Sequence, residues 1–256
     1  MKRNLFKPYN LCCNKDVKLN IFKLKMKQNL KSLRVKPNHF KTLQGTTKIQ
    51  RNGWFSYTIR NNRDRFFFPD EWMVFYDELT DKQKITFEFL INTGARIMEI
   101  QNIKVSDVDF ERRGIVLRVT KRVLKRIKKG ATGERRIRLV NVSSEFIRFI
   151  RRVVNKYKLK QDDYFPILST PAANIGMKKA LRKASIGDWE MFSLHNVRKT
   201  LETWLMALGV DSFNLTKHFG HSVAVALKHY VSPDIFNWEE KEQMRKIVGD
   251  LYKRNI

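Results

Sequence analysis

The hydrophobic pattern of this 256-residue chain changes its period twice. Apolar residues recur at helical spacing from Pro69 onward, where a proline followed by two acidic residues is typical of a helix start. The pattern then changes to short runs rich in β-branched residues, typical of strands, at 105–110, 114–120 and 136–140. From Ser144 the helical spacing returns and continues to the end. We therefore expect a mainly α-helical fold with a small antiparallel β-sheet.

Glycine marks one helix boundary clearly. Asp81 begins a helix that we expect to end at Gly94, because glycine readily adopts the left-handed conformation that closes a helix. The next helix begins at Arg96, with Ile97 and Ile100 facing inward. One helix is therefore expected to end at Gly94 and the next to begin at Arg96.

The charge of the chain restricts its partners. The 52 Lys and Arg exceed the 25 Asp and Glu by enough to give a net charge of +27 at pH 7. This excess is more than solubility needs and predicts a polyanionic partner, with nucleic acid as the first candidate. An anionic membrane surface is the alternative, but no apolar run approaches the roughly eighteen residues of a spanning helix. No apolar signal segment follows the basic N-terminus either, and we expect no membrane partner.

The charge is also distributed unevenly. Residues 1–66 hold 17 Lys and Arg and only two acids, Asp16 and Asp64, whereas the other 190 residues carry +12. Charge and hydrophobic pattern both change near residue 66, so we place a domain boundary there.

Cysteine usage indicates a reducing compartment. Cys12 and Cys13 are adjacent, so they cannot staple a fold, and they have no Cys or His companions at zinc-ligand spacing. We therefore expect an intracellular protein of the cytoplasm or nucleoid, not a secreted one.

Four polar motifs follow one another along the chain. They are Thr93-Gly-Ala-Arg96-Ile-Met-Glu99, Leu194-His195-Asn-Val-Arg198, His218-Phe-Gly-His221 and Tyr230. Here the chain resembles the tyrosine recombinases, or phage-type integrases, over about residues 67–256. That family carries an arginine in a TG-x-R-x-x-E helix start, an H-x-x-R pair, a histidine after glycine and a nucleophilic tyrosine nine residues later. The matching residues are Arg96 with Glu99, His195 with Arg198, His221 after Gly220, and Tyr230 nine positions beyond His221.

The resemblance implies a catalytic site for site-specific DNA recombination. Arg96 and Arg198 would bind the phosphate oxygens bidentately and remain charged at any working pH. His195 would act as the base that helps Tyr230 lose its proton, and His221 would donate a further hydrogen bond to the phosphate. Attack by Tyr230 would give a covalent 3′-phosphotyrosine that stores the bond energy. The resemblance therefore implies no cofactor, metal or ATP.

The resemblance also implies the architecture and the partners. Residues 67–256 would be the catalytic domain, and residues 1–66 a basic DNA-binding arm or a reduced core-binding domain, since family members usually have about 100 residues there. The expected partner is double-stranded DNA with specific recombination sites. On DNA we expect self-association, as a tetramer.

The family's proton donor, a lysine on the β-hairpin, is less well defined in this sequence. Residues 112–138 contain twelve Lys and Arg and a single acid, Glu134, which favours contact with phosphate over a merely solvated face. Counting forward from the strand at 115–119 favours Lys121, which we select. Counting back from Glu134 favours Lys125 or Lys129 instead.

Several alternatives stay open at this point. A type IB topoisomerase uses a similar set of residues to relax supercoils, although the H-x-x-R motif and the histidine-to-tyrosine spacing favour a recombinase. A non-catalytic DNA-binding protein with a vestigial site belongs to another class. A metal site would have to use His218, His221 and His229, which lack an acidic ligand at convincing spacing.

The last helix has two possible partners. Pro233 and Asp234 can begin a helix with apolar residues on one stripe, namely Trp238, Met244, Ile247, Val248 and Leu251. That stripe would pack either on its own domain or, as is common in the family, on a neighbouring protomer.

Overall fold

The chain forms a mainly helical fold with a small antiparallel sheet, which confirms the expected fold class. The computed structural model describes residues 47–51, 55–59, 62–118, 137–221 and 233–252. The helices in these ranges are α1 Pro69–Asp77, α2 Asp81–Thr93, α3 Ile97–Ile100, α4 Ser144–Tyr157, α5 Thr170–Lys183, α6 Leu194–Ala207, α7 Ser212–Phe219 and α8 Trp238–Val248. The strands are β1 Thr47–Arg51, β2 Phe55–Ile59, β3 Val108–Asp109, β4 Gly114–Arg118 and β5 Ile137–Asn141.

Some residues singled out in the sequence lie outside these ranges. They are Cys12, Cys13, Asp16, Lys121, Lys125, Lys129, Glu134, His229 and Tyr230. Among the described helices, none has both the length and the apolar character needed to cross a lipid bilayer.

The three-stranded sheet has the order β3-β4-β5, with both pairs antiparallel. Ile115 pairs with Val140 and Leu117 with Arg138, so these four side chains share one face of the sheet. Ile115, Leu117 and Val140 are fully buried. That face is therefore the inner one, and Arg138 lies on it.

The first predicted strand is shorter than expected. Only Val108–Asp109 forms a strand, whereas Val105–Asp107 is a 3-10 turn. The Asp107 carboxylate accepts the Lys104 amide at 3.0 Å and closes that turn. A local side-chain bond of this kind competes with strand pairing and overrides the β-branched composition.

The core is centred on α6, which packs against α2. Val197, Leu201 and Trp204 of α6 are fully buried, as are Phe87 and Leu90 of α2. Because α6 is covered along most of its length, most of the polar side chains that it carries are buried too, and His195 in its first turn is the exposed exception.

The segment before α1 is fixed to this core by its backbone and by Arg65. The Trp204 indole donates to the Phe67 carbonyl at 3.0 Å, and the Asn196 amide donates to the Arg65 carbonyl at 2.6 Å. The Arg65 guanidinium is buried between Glu71 and Asp188. Burial opposes its charge, but the two carboxylates together raise the pKa of Arg65 above its ordinary value. The domain boundary near residue 66 stays a prediction.

The last helix begins later than expected. Pro233–Ile235 is a 3-10 turn, and α8 begins at Trp238 because Asn237 and Glu240 cap each other's backbone amides at 2.8 and 3.0 Å. The stripe was also partly wrong, since Trp238 is 74% exposed while Met244 and Val248 are buried. The buried face packs on α1 and α6 of the same chain.

Candidate active site

The turn between α2 and α3 presents Arg96. Gly94 ends α2 with φ +57°, and the Arg96 backbone amide then donates to Glu99 Oε2 at 3.0 Å. The Arg96 guanidinium donates to Glu99 Oε1 at 2.9 Å. The Glu99 side chain is only 2% exposed, whereas that of Arg96 is 49% exposed. Glu99 therefore fixes the arginine at one edge and leaves the rest of its guanidinium open to an incoming anion.

Arg198 lies on α6 and joins two helix ends. Its Nη1 donates to the Gly94 carbonyl at 2.6 Å and its Nη2 to the Phe219 carbonyl at 2.5 Å. Burial, followed by the positive charges of Arg138 and Arg96, lowers the pKa of Arg198 to about 9. Glu99 and Glu202 oppose this shift without cancelling it, so an anion bound beside the guanidinium would stabilise its charged form.

Arg138 is a third arginine at this place, and the sequence motifs did not indicate it. Its Nη2 donates to Glu99 Oε2 at 2.9 Å and its Nη1 to the His218 carbonyl at 3.1 Å. Burial is the main reason why its pKa is lowered, with Arg96 adding to the effect and Glu99 opposing it. The available signal was its phase in β5, since Arg138 lies two residues before the buried Val140 and therefore faces inward with it.

His221 lies directly after α7, against a buried carboxylate. Its Nε2 is 3.0 Å from Glu202 Oε1, and its ring stacks on Phe219 with an interplanar angle of 10°. Burial favours the neutral form of Glu202, but His221 and Lys199 outweigh it, and the pKa of Glu202 is below its ordinary value. The sequence motifs did not indicate Glu202 or Lys199 either. The available signal was that two charged residues stand on a helix whose other residues are mostly apolar.

These elements bring together residues that are far apart in the sequence. Arg96, Arg138, Arg198 and His221 come from the α2-α3 turn, β5, α6 and the end of α7. The contacts through Glu99, Gly94 and the α7 carbonyls make them one cluster with an excess of positive charge.

Comparison with known proteins decides the family. The sequence model described as the phage integrase family matches residues 69–235, well over half of the chain. This chain belongs to the phage integrase family. The resemblance that the four motifs indicated is thereby confirmed.

Solved structures of tyrosine recombinases share the fold of this phage integrase family member. One is the XerA recombinase, with 19% identity and a TM-score of 0.50, covering 71% of this chain and 62% of that one. Another is the Tn1549 transposon integrase in complex with transposon right end DNA, with 18% identity, a TM-score of 0.50, and coverage of 72% and 65%. This chain thus spans a little under two thirds of the length of these proteins. No curated protein sequence matches it.

The other predicted residues of the family site are placed as follows. His195 lies in the first turn of α6 and is exposed, three residues before Arg198 and so on a neighbouring part of the same helix. The predicted Tyr230 and Lys121 follow the described residues His221 and Arg118, respectively, in segments outside the described ranges. Their roles therefore stay predictions.

His218 has a structural environment. It is buried, its Nδ1 is 3.1 Å from the Tyr252 hydroxyl, and burial with the charges of Arg138 and Arg198 lowers its pKa to about 3. A neutral, buried imidazole fits a packing role. Within the described ranges, no three His, Cys, Asp or Glu side chains are grouped closely enough to hold a metal ion.

Proposed function

We propose that this phage integrase family member is a site-specific DNA recombinase that cleaves and rejoins DNA through a covalent 3′-phosphotyrosine at Tyr230. The observation that carries the proposal is the convergence of Arg96, Arg198 and His221 from three separate elements into one cationic cluster. A phosphodiester in its pentavalent transition state is an anion with charge on several oxygens, and such a cluster would stabilise it.

The donors needed for this role are available. Arg198 uses one N–H from each Nη to hold the Gly94 and Phe219 carbonyls, yet a guanidinium has five N–H groups in all. Arg96 is half exposed and has donors beyond the one that contacts Glu99. The two arginines can therefore keep the site assembled and bind phosphate oxygens at the same time.

In the reaction that we propose, each phosphorus–oxygen bond that breaks is replaced by another. The Tyr230 oxygen forms a bond to phosphorus while the bond from phosphorus to the 5′-oxygen breaks. His195 takes the tyrosine proton, and Lys121 gives a proton to the leaving 5′-oxygen. Attack by a 5′-hydroxyl from another strand reverses these steps and completes the exchange. Because one phosphodiester is replaced by a phosphotyrosine of similar energy, no ATP is consumed.

The proposed partner is double-stranded DNA carrying specific sites. The net charge of +27 supports it, as does the DNA bound in the solved Tn1549 integrase. A complete exchange joins two duplexes, so we further propose that the protein self-associates on DNA, as a tetramer. An intracellular location, where such DNA is found, follows from this proposal.

Covalent capture tests the proposed function. We would incubate the protein with nicked suicide duplexes drawn from the DNA that flanks its own coding region and separate the products on a denaturing gel. We expect a protein-DNA adduct from the wild-type chain and none from Tyr230→Phe, since the phenylalanine lacks the attacking oxygen.

The outcomes distinguish the alternatives. An adduct that persists in Tyr230→Phe would contradict the nucleophile assignment. Binding without any adduct would instead favour a DNA-binding protein with a vestigial site. Relaxation of supercoiled DNA without strand exchange would favour the topoisomerase alternative.

A further inference from the structure

Arg138 is an arginine in a place where a strand normally carries an apolar residue. Its neighbours on the inner face of the sheet, Leu117 and Val140, are fully buried, and only 12% of the Arg138 side chain is exposed. Its Nε is buried without a hydrogen-bond acceptor among the described residues. Burying a guanidinium is costly unless its donors find acceptors. Both Nη groups of Arg138 do find them.

Those two contacts reach different parts of the candidate site. On one side Nη2 binds Glu99 Oε2, and the same Glu99 carboxylate holds both the backbone and the guanidinium of Arg96. On the other side Nη1 binds the His218 carbonyl, three residues before His221. Arg138 is thus a bridge between the turn that presents Arg96 and the turn that presents His221.

The backbone near His221 is shaped to accept this bridge. Gly220 closes α7 with φ +65°, and a Cβ at that position would lie 3.2 Å from Arg138 Nη1. The guanidinium therefore packs directly on the glycine backbone that leads into His221. A shift of Arg138 would move the start of that segment.

We infer that Arg138 is a positioning residue for DNA strand cleavage, holding Arg96 and His221 at the separation that the scissile phosphate needs. The inference rests on the proposed function. It assigns Arg138 no contact with DNA: the residue acts through Glu99 and the α7 backbone. Small displacements at a reacting centre cost about 100-fold in rate, which sets the size of the expected effect.

The test measures cleavage and binding separately. Single-turnover adduct formation on the suicide duplex would be followed at saturating DNA, with the dissociation constant measured on intact DNA. We expect Arg138→Gln to slow adduct formation by about 100-fold and to change affinity little. Arg138→Lys keeps the charge but cannot reach both anchors, so we expect it to remain slower than wild type.

Arg65→Lys is the matched control. Arg65 is a buried arginine that also bridges two anchors, Glu71 and Asp188. Within the described ranges its other side-chain contacts are the Phe66 carbonyl and the Phe192 ring, which lie outside the cleavage cluster. Compared at equal folded fraction, Arg65→Lys should lower the thermal midpoint at least as much as Arg138→Lys does, yet keep the wild-type cleavage rate. If Arg138→Gln does not fold, the pair of lysine variants carries the test.

A double variant checks the route of the effect. If Arg138 acts through Glu99, Glu99→Gln combined with Arg138→Gln should be no slower than the worse single variant. Losses that multiply would overturn the inference, and so would a full rate in Arg138→Gln or Arg138→Lys. If the wild-type chain forms no adduct, the proposed function is overturned and the inference with it. If the wild-type chain and Arg138→Gln form the adduct at equal rates, the inference alone is overturned.

Discussion

A single carboxylate organises two of the three arginines in the candidate site. Glu99 Oε1 binds the Arg96 guanidinium, and Oε2 binds both the Arg96 backbone amide and Arg138. Arg198 has no such carboxylate in its two closest contacts, which are the Gly94 and Phe219 carbonyls. A bound phosphate would therefore give Arg198 the anionic hydrogen-bond acceptor that neither of these two contacts supplies.

Alanine variants of the two arginines should separate catalysis from folding. We expect Arg96→Ala and Arg198→Ala each to slow covalent capture by about 100- to 1000-fold, because each removes a donor to the developing charge. Only Arg198→Ala should also lower stability, by about 1–3 kcal/mol for each carbonyl left without a partner. Capture assays and chemical denaturation measure the two effects, and DNA affinity should change little. Loss of binding without a specific loss of cleavage would mean that these arginines are docking contacts only.

Residues that stand in local motifs could be predicted, and Arg138, which stands in none, could not. Arg96 and Glu99 are three residues apart at a helix start, so the local sequence is enough to predict that they pair. Arg138 contacts residues that are 39 and 80 positions away, Glu99 and His218. No spacing rule covers such distances, and only the phase of β5 indicated that Arg138 faces inward.

At the scale of elements, the site depends on two helix ends that meet. Gly94 closes α2 and Phe219 ends α7, and a Cβ at position 94 would lie only 2.3 Å from Phe219 Cε1. Arg198 fastens this junction by binding both carbonyls. The sequence predicted that Gly94 would end α2, but not that Phe219 would cover it, because that contact depends on how the helices pack.

The junction predicts a large effect of Gly94→Ala. The left-handed backbone costs a non-glycine residue about 1 kcal/mol, and displacing the buried Phe219 ring adds about 2 kcal/mol. Gly209→Ala is the matched control, since Gly209 has φ +85° and, among the described residues beyond its two chain neighbours, no heavy atom lies within 4 Å of its Cβ position. We expect Gly209→Ala to lose only the unfolding free energy that the left-handed backbone costs, about 1 kcal/mol. Equal losses of unfolding free energy in the two variants would show that the contact with Phe219 does not matter.

The observed start of α8 and the short length of β3 show which local sequence signals decide where an element begins. Pro233 was expected to begin the last helix, but the reciprocal Asn237 and Glu240 cap starts it at Trp238. Asp107 likewise turned part of an expected strand into a 3-10 turn. In both places a polar side chain bonded to nearby backbone decided the boundary, whereas apolar periodicity predicted the type of the neighbouring element.

At the scale of the whole molecule, the net charge of +27 predicts that DNA affinity depends strongly on salt. Each phosphate neutralised by a cation releases counterions, so about 6–10 contacts would lower affinity by about 10³- to 10⁵-fold between 50 and 200 mM salt. Binding titrations over that range measure the slope. A flat response would contradict binding dominated by phosphate contacts.

The same measurement tests residues 1–66 as a DNA-binding arm. Replacing Lys23, Lys25 and Lys27 together by Gln should reduce the salt slope by up to about 3, because each lysine contributes about one released counterion. The control replaces three exposed lysines at the end of α4, Lys156, Lys158 and Lys160. Lys156 pairs with Asp81 at the first residue of α2, about 18 Å along that helix from the Arg96 turn. The control should therefore leave the slope unchanged, and an equal reduction in both variants would mean that the arm has no particular role in binding.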